Sequence, residues 1–150
     1  MARPPAIKKR VSSGGVIFRH TNNIIEVVLV LVKGKKTWCI PKGMIDRDED
    51  APAAALREVR EETGLTGEII EKLGHISYWF TLRDKMVKIH KTVHFYLMKF
   101  LEGNTADHDD EVDEARWYPL DEALKTLAFK SERDIMQKAK GMIEKIGKSE

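Results

Sequence analysis

An α/β sandwich built around a mixed β-sheet is the fold class this sequence predicts, and three observations predict it. Residues 24–32 are almost continuously apolar and β-branched, as expected of a strand covered on both faces. Asp50 and Gly64 bracket a run of strong helix formers that starts with Pro52 in its first turn. Near the end, Ile135, Ala139, Met142, Ile143 and Ile146 repeat at helical spacing as an apolar stripe. Strands therefore come with one helix after the third and further helix after the last, so that the first long helix can cover one face of a sheet and the C-terminal helix the other. The 150 residues suffice for one domain with a real core. That domain is expected over 11–150, behind a flexible basic arm at 1–10.

Taken in order, residues 11–20 read as a strand in which Gly14-Gly15 lets another backbone come close. Asn22-Asn23 marks a turn into the strand at 24–32. Residues 34–36 are a loop, and 38–41 a short extended piece. Asp50 suits an N-cap, because its carboxylate can accept orphan backbone N–H bonds, and Gly64 suits a left-handed C-cap. Residues 68–73 and 75–82 read as strand, broken at Gly74, and hairpin onto a long strand at 86–101 that alternates at Val93, Phe95 and Leu97. Residues 102–114 are polar, acidic and without period, a loop long enough to be functional. A short strand at 115–118 precedes a helix at 121–127 capped by Asp121. A last helix spans 131–146, with Ser131 and Asp134 resembling a capping box.

Composition narrows the function. Lysine and arginine number 26 against 24 acids, a net charge of +2, which makes no electrostatic case for binding a nucleic-acid duplex. Cys39 is the single cysteine, so no internal disulfide forms, as suits a reducing cytoplasm. No run reaches membrane-spanning length, and MARPPAIKKR lacks the apolar core of a secretory signal.

The acids of the first long helix carry the chemical signal. Glu58, Glu61 and Glu62 stand at i, i+3 and i+4, within one arc of about 100°, beside an arc of Leu56, Val59 and Thr63 that can face a core. Like charges at these spacings repel, and they lie near a helix C-terminus, where the dipole disfavours anions. A cation would remove both penalties, and oxygen-only ligands suit Mg²⁺, with Mn²⁺ as substitute, rather than zinc. For a bare Glu-Val-Arg-Glu-Glu, a solvated acidic face with Arg57 and Arg60 as partners is the favoured reading.

The wider spacing goes further. Gly43, five residues, Glu49, seven residues, then Arg57-Glu58-Val59-Arg60-Glu61-Glu62-Thr63-Gly64-Leu65 resembles the Nudix box at every fixed position. The resemblance implies a Nudix-type α/β/α sandwich and hydrolysis of a nucleoside diphosphate linked to another group. It implies metal on Glu58, Glu61, Glu62 and the backbone carbonyl of Lys42. It also implies a structural pairing of Glu49 with Arg57, with Gly43 and Gly64 framing the motif.

Beyond the box, Trp38-Cys39-Ile40-Pro41-Lys42-Gly43 resembles the W-x-x-P-K-G segment of the bacterial asymmetric diadenosine tetraphosphate hydrolases within that family. Lys91-Thr92-Val93, and Trp117 followed by Leu124, Leu127, Phe129 and Lys130, agree in order with the same branch. The resemblance implies a nucleotide polyphosphate substrate, split to ATP and AMP. Lys42 and Lys91 are point charges suited to phosphate oxygens, though each also reads as a surface lysine. Tyr78 and Phe129 can stack an adenine, with Tyr96 behind them, while Trp38, Trp79 and Trp117 read as structural. Water attack needs a base: Glu61, Glu58 or an acid of the 107–114 loop, with Glu111 chosen over Asp109, Asp110 and Asp113. No serine, cysteine or histidine constellation for covalent catalysis is visible. Rival readings are house-cleaning of oxidised nucleoside triphosphates and, from another class, a nucleotide sensor without turnover. Trimming of RNA 5′ ends is disfavoured because that branch has Gln where Lys42 stands. Either a monomer or a homodimer is compatible with the sequence.

Overall fold

The computed structural model describes residues 6–149. Along them run β1 (Ala6–Thr21), β2 (Ile24–Val32), β3 (Trp38–Cys39), β4 (Lys42–Met44), α1 (Ala51–Thr63), β5 (Leu65–Leu82), β6 (Val87–Gly103), β7 (Val112–Pro119), α2 (Leu120–Thr126) and α3 (Lys130–Ser149). Single 3₁₀ turns lie at Arg83–Lys85 and Thr105–Asp107.

These seven strands form one sheet in the order β3-β2-β1-β6-β5, with β4 on β1 and β7 on β2. The sheet is mixed because β1 runs parallel to β6 while the other pairings are antiparallel. Strand alternation divides the core in two. Val16, Val27, Leu29, Val93 and Phe95 pack under α2 and α3 with Ile135, Met136, Ala139 and Ile143. Ile17, Val28, Val30, Tyr96 and Met98 pack under α1 with Ala55 and Val59. The sandwich expected from the order of elements is the one found, and the nearly continuous apolar run of β2 is explained by cover on both sides.

α1 is bounded as its sequence requires. Asp50 takes extended backbone and its Oδ1 accepts the Ala53 N–H at 2.8 Å, a cap that contributes about 1 kcal/mol. Gly64 has φ of 77°, and its N–H donates to the Arg60 carbonyl at 2.9 Å. Gly14 is required by close approach: a Cβ there would collide with the Pro41 carbonyl and the Lys42 side chain, where β4 crosses β1.

Several expectations are corrected. Residues 6–10 of the expected basic arm are strand, since β1 begins at Ala6 and pairs with β6 from Val87 onward; residues 1–5 lie outside the described residues. β5 passes through Gly74 as a bulge in its register rather than a break. The 102–114 loop holds a 3₁₀ turn, and β7 already starts at Val112. Asp121 does not cap α2, which begins at Leu120 after a Pro119 that makes no side-chain cap. Ser131 is likewise inside α3, and Asp134 pairs with Lys130 instead. Leu56 is exposed, because the buried arc of α1 is shared by alanines and two of the glutamates. Trp79 is exposed and stacks on His90 at 4.6 Å, so it belongs to the surface rather than the core.

Candidate active site

α1 lies against the β1–β4 pairing, and that contact brings the box residues together. Gly43 pairs with Ser13, which turns its hydroxyl to the Ala51 carbonyl at 2.6 Å and ties β1 to the start of α1. Gly43 then faces α1 with no side chain. A Cβ there would collide with the Glu58 carboxylate, so that carboxylate occupies a cradle only glycine leaves open.

Arg57 organises the loop. Its Nε and Nη2 donate to the two Glu49 oxygens at 2.7 and 2.8 Å, and Nη2 also donates to the Met44 carbonyl at 2.9 Å. Its Nη1 donates to Glu58 Oε1 at 2.7 Å and to Glu61 Oε2 at 3.2 Å. These hydrogen bonds pull the Glu49 carboxyl down to about 2.

The three helix acids sit in different environments. Glu58 and Glu62 are buried, whereas the Glu61 side chain is 46% exposed. Burial pushes the Glu62 carboxyl up to about 8, against the Lys42 backbone N–H that donates to Oε1 at 3.0 Å, with the Glu58 charge adding to the rise. Burial also raises Glu58, with Arg57 opposing and the charges of Glu61 and Glu111 reinforcing it. The 107–114 loop is docked here: the Asp109 N–H donates to the Glu61 carbonyl at 2.8 Å, and Glu111 donates its N–H to Asp109 Oδ1 at 3.1 Å. The loop therefore brings Glu111 and Asp109 into the field of the box acids.

Among the described residues, no three histidine, cysteine or acidic side chains are already gathered to hold a metal, and Arg57 Nη1 bonds both Glu58 and Glu61. The donor set nevertheless fits a hard divalent cation. It is all oxygen, it includes a carboxylate whose charged form burial disfavours and a cation would favour, and internal hydrogen bonds engage one oxygen each of Glu58, Glu61 and Glu62.

Beside these acids, on the α3 side of the sheet, opens a cleft of about 650 Å³. Lys42, Lys91, Tyr78 and Phe129 line it together with Glu62 and Gly43. Tyr78 is 42% and Phe129 52% exposed, so neither is a core aromatic. Tyr96, by contrast, is buried under α1. Strand register places Tyr78, Lys91 and Arg10 in one row across β5, β6 and β1. Burial, followed by the positive charges of Lys42, Arg10 and Lys35, lowers the Lys91 amine.

One site residue had no signal in the sequence. Glu132, in the first turn of α3, is 3% exposed. Its Oε1 accepts the Ile40 N–H at 2.6 Å and its Oε2 lies 3.4 Å from Lys42 Nζ. Burial works to lower the Lys42 amine, but the Glu132 charge prevails and raises it.

Comparison with known proteins gives the same picture. A family model described as NUDIX domain matches residues 8–139. The "Putative mutator protein MutT4" of Mycobacterium tuberculosis (strain CDC 1551 / Oshkosh) is 43% identical over 114 residues, covering 76% of this chain and 45% of that protein. The "8-oxo-(d)GTP phosphatase" of Mycolicibacterium smegmatis (strain ATCC 700084 / mc(2)155) is 31% identical over 114 residues, covering 76% of this chain and 33% of that protein. The chain thus spans less than half the length of either relative. A crystal structure of a C. elegans Ap4A hydrolase binary complex superposes with a TM-score of 0.74 at 25% identity, over 90% of this chain and 98% of that one.

Proposed function

This chain belongs to the NUDIX domain family, and from that membership we propose that it is a pyrophosphohydrolase acting on a nucleoside polyphosphate, with diadenosine tetraphosphate cleaved to ATP and AMP as the preferred reaction. The observation that carries the substrate class is the cleft: two exposed aromatics and a group of cations line the space onto which Glu62 opens. Tyr78 and Phe129 stack an adenine, each base–aromatic contact contributing about 1–3 kcal/mol. Lys42, Lys91 and Arg10 meet the phosphate chain, and Glu132 aims Lys42 at it. The likeness to the C. elegans hydrolase supports this reading.

Family members use divalent cations, and Glu58, Glu61, Glu62 and the Lys42 carbonyl are the residues that would hold Mg²⁺ here, with Mn²⁺ as substitute. Such a cation supplies charge neutralisation on the phosphate oxygens and a lowered pKa for water. The protein's own part is to place the chain and move a proton. Arg57 and Glu49 fix the loop on α1, Gly43 gives the Glu58 carboxylate its place, and Glu111 takes the proton of the attacking water. Water adds to one phosphorus as the bridging P–O bond breaks, so one phosphoanhydride becomes two phosphate ends.

The name of the Mycolicibacterium relative favours a second substrate, an oxidised guanosine triphosphate. A panel of diadenosine tetraphosphate, 8-oxo-dGTP and unmodified nucleotides, with Mg²⁺ and then with EDTA, separates the two by product identity and kcat/KM. ATP with AMP at the highest kcat/KM is the expected result. Preferential hydrolysis of 8-oxo-dGTP would replace it with the second reading, and binding without turnover would make the chain a sensor. Phe129→Ala should raise KM for adenine substrates by about tenfold. A cytoplasmic location is part of this proposal, supported by the single cysteine, Cys39, which suits a reducing compartment. Among the described residues no helix is long and apolar enough to cross a membrane.

A further inference from the structure

The floor of the cleft contains a polar atom with nothing to bond. Ser12 is 1% exposed, and among the described residues its Oγ is the one buried side-chain polar atom with no hydrogen-bond partner. Its neighbour shows the contrast, since Ser13 points to the other face of the sheet and bonds the Ala51 carbonyl. Ser12 lines the same cleft as Tyr78 and Phe129. Register sets it in a row with Ile76 on β5, Val93 on β6 and Met44 on β4, so the floor around the hydroxyl is apolar. Cations stand to either side of this row, Arg10 and Lys91 in the row beyond it and Lys42 opposite Gly14 in the row before it.

A phosphate resting on that floor would sit over Ile76 and Met44 when cations lie one row away. A flat, uncharged group with a polar edge suits the apolar floor, and the aromatic rims suit its faces. We propose that Ser12 Oγ hydrogen-bonds the edge of a nucleobase seated between Tyr78 and Phe129, making Ser12 a specificity-determining residue. The inference rests on the reading of this cleft as a nucleotide site. A hydroxyl can donate to a ring nitrogen or accept from an exocyclic amine, so it answers to the base without needing a charge. A buried hydroxyl without a partner also destabilises the empty protein, and that cost disappears when a base supplies the partner.

The test is Ser12→Ala, which removes one oxygen and adds no volume. Binding of AMP is measured by calorimetry in EDTA, where no turnover occurs, with ribose 5-phosphate and inorganic tripolyphosphate as probes that lack a base. The variant should bind AMP about three- to tenfold more weakly, the equivalent of one neutral hydrogen bond. It should bind the two base-free probes as the wild type does, and the Tm of the empty variant should equal or exceed that of the wild type. Unchanged AMP affinity overturns the assignment. Equal weakening toward ribose 5-phosphate overturns it too, by moving the contact to the sugar phosphate. A lower Tm would show the hydroxyl partnered in the empty protein and overturn it as well. Wild-type protein that binds no AMP would sink the nucleotide reading itself, and this inference with it.

Discussion

Glu132 belongs to α3 by sequence and to the β3–β4 segment by function, because its carboxylate bonds the Ile40 N–H and pairs with Lys42. Removing it leaves the half-buried Lys42 amine without its partner and the buried Ile40 N–H unpaired. Glu132→Ala should therefore cost about 1–3 kcal/mol of stability, measured by denaturant unfolding. Glu132→Gln keeps an acceptor for Ile40 but removes the charge that holds Lys42, so it should fold nearly as well and raise KM for polyphosphates. The sequence concealed this residue for a physical reason: an acid in a first helical turn is ordinarily a partner of the helix dipole, and nothing local ties it to Ile40. The arrangement of Glu49, Arg57 and Gly43 was legible only through spacing matched to a family pattern. Periodicity alone favoured a solvated face for the acids of α1.

At the scale of the element, two glycines flank α1 for different reasons and should fail differently. Gly43 is required by the Glu58 carboxylate, the far end of a flexible side chain that can move aside. Gly43→Ala should keep Tm within a few degrees while activity falls by orders of magnitude, because the displaced group is the carboxylate rather than the backbone. Gly64 is required by its positive φ and by the backbone of Asn104 and Asp107 packed against it. Gly64→Ala should therefore lower stability by at least about 1–2 kcal/mol, read by thermal melting. Equal losses of stability in the two variants would contradict this division. The caps of α1 were readable because Asp50 and Gly64 each act on backbone within four residues. Those of α2 and α3 were not, since both helices start one residue before the polar side chain that the sequence offers. Leu56 was misplaced for a related reason: the apolar arc of a wheel is a guide only where charges stay outside, and Glu58 and Glu62 are inside.

For the whole molecule, the buried Glu62 couples stability to pH. Its carboxyl holds a proton up to about 8 when folded, against an ordinary value of 4.5. The folded state then binds more protons than the unfolded one across that interval, so metal-free protein should lose stability as pH rises through it. Thermal melts in EDTA should show the fall, and Glu62→Gln should flatten it. Added Mg²⁺ should raise Tm more on the alkaline side than on the acid side, since the cation competes with the proton. The two-faced core was foreseeable from β2 and the α3 stripe, both local patterns. The extension of β1 back to Ala6 was not, because it depends on a partner distant in sequence.

That partner has a consequence for how the chain is made. Ala6 pairs with Val87 and Phe18 with Lys99, a closure over about eighty intervening residues, so the strand at the middle of the sheet is made well before β6 and waits for it. During synthesis β1 can meet β2 and β4 and nothing else of its final ladder. Its parallel side stays open until β6 has been translated, which makes that nascent edge the natural place for a chaperone to hold.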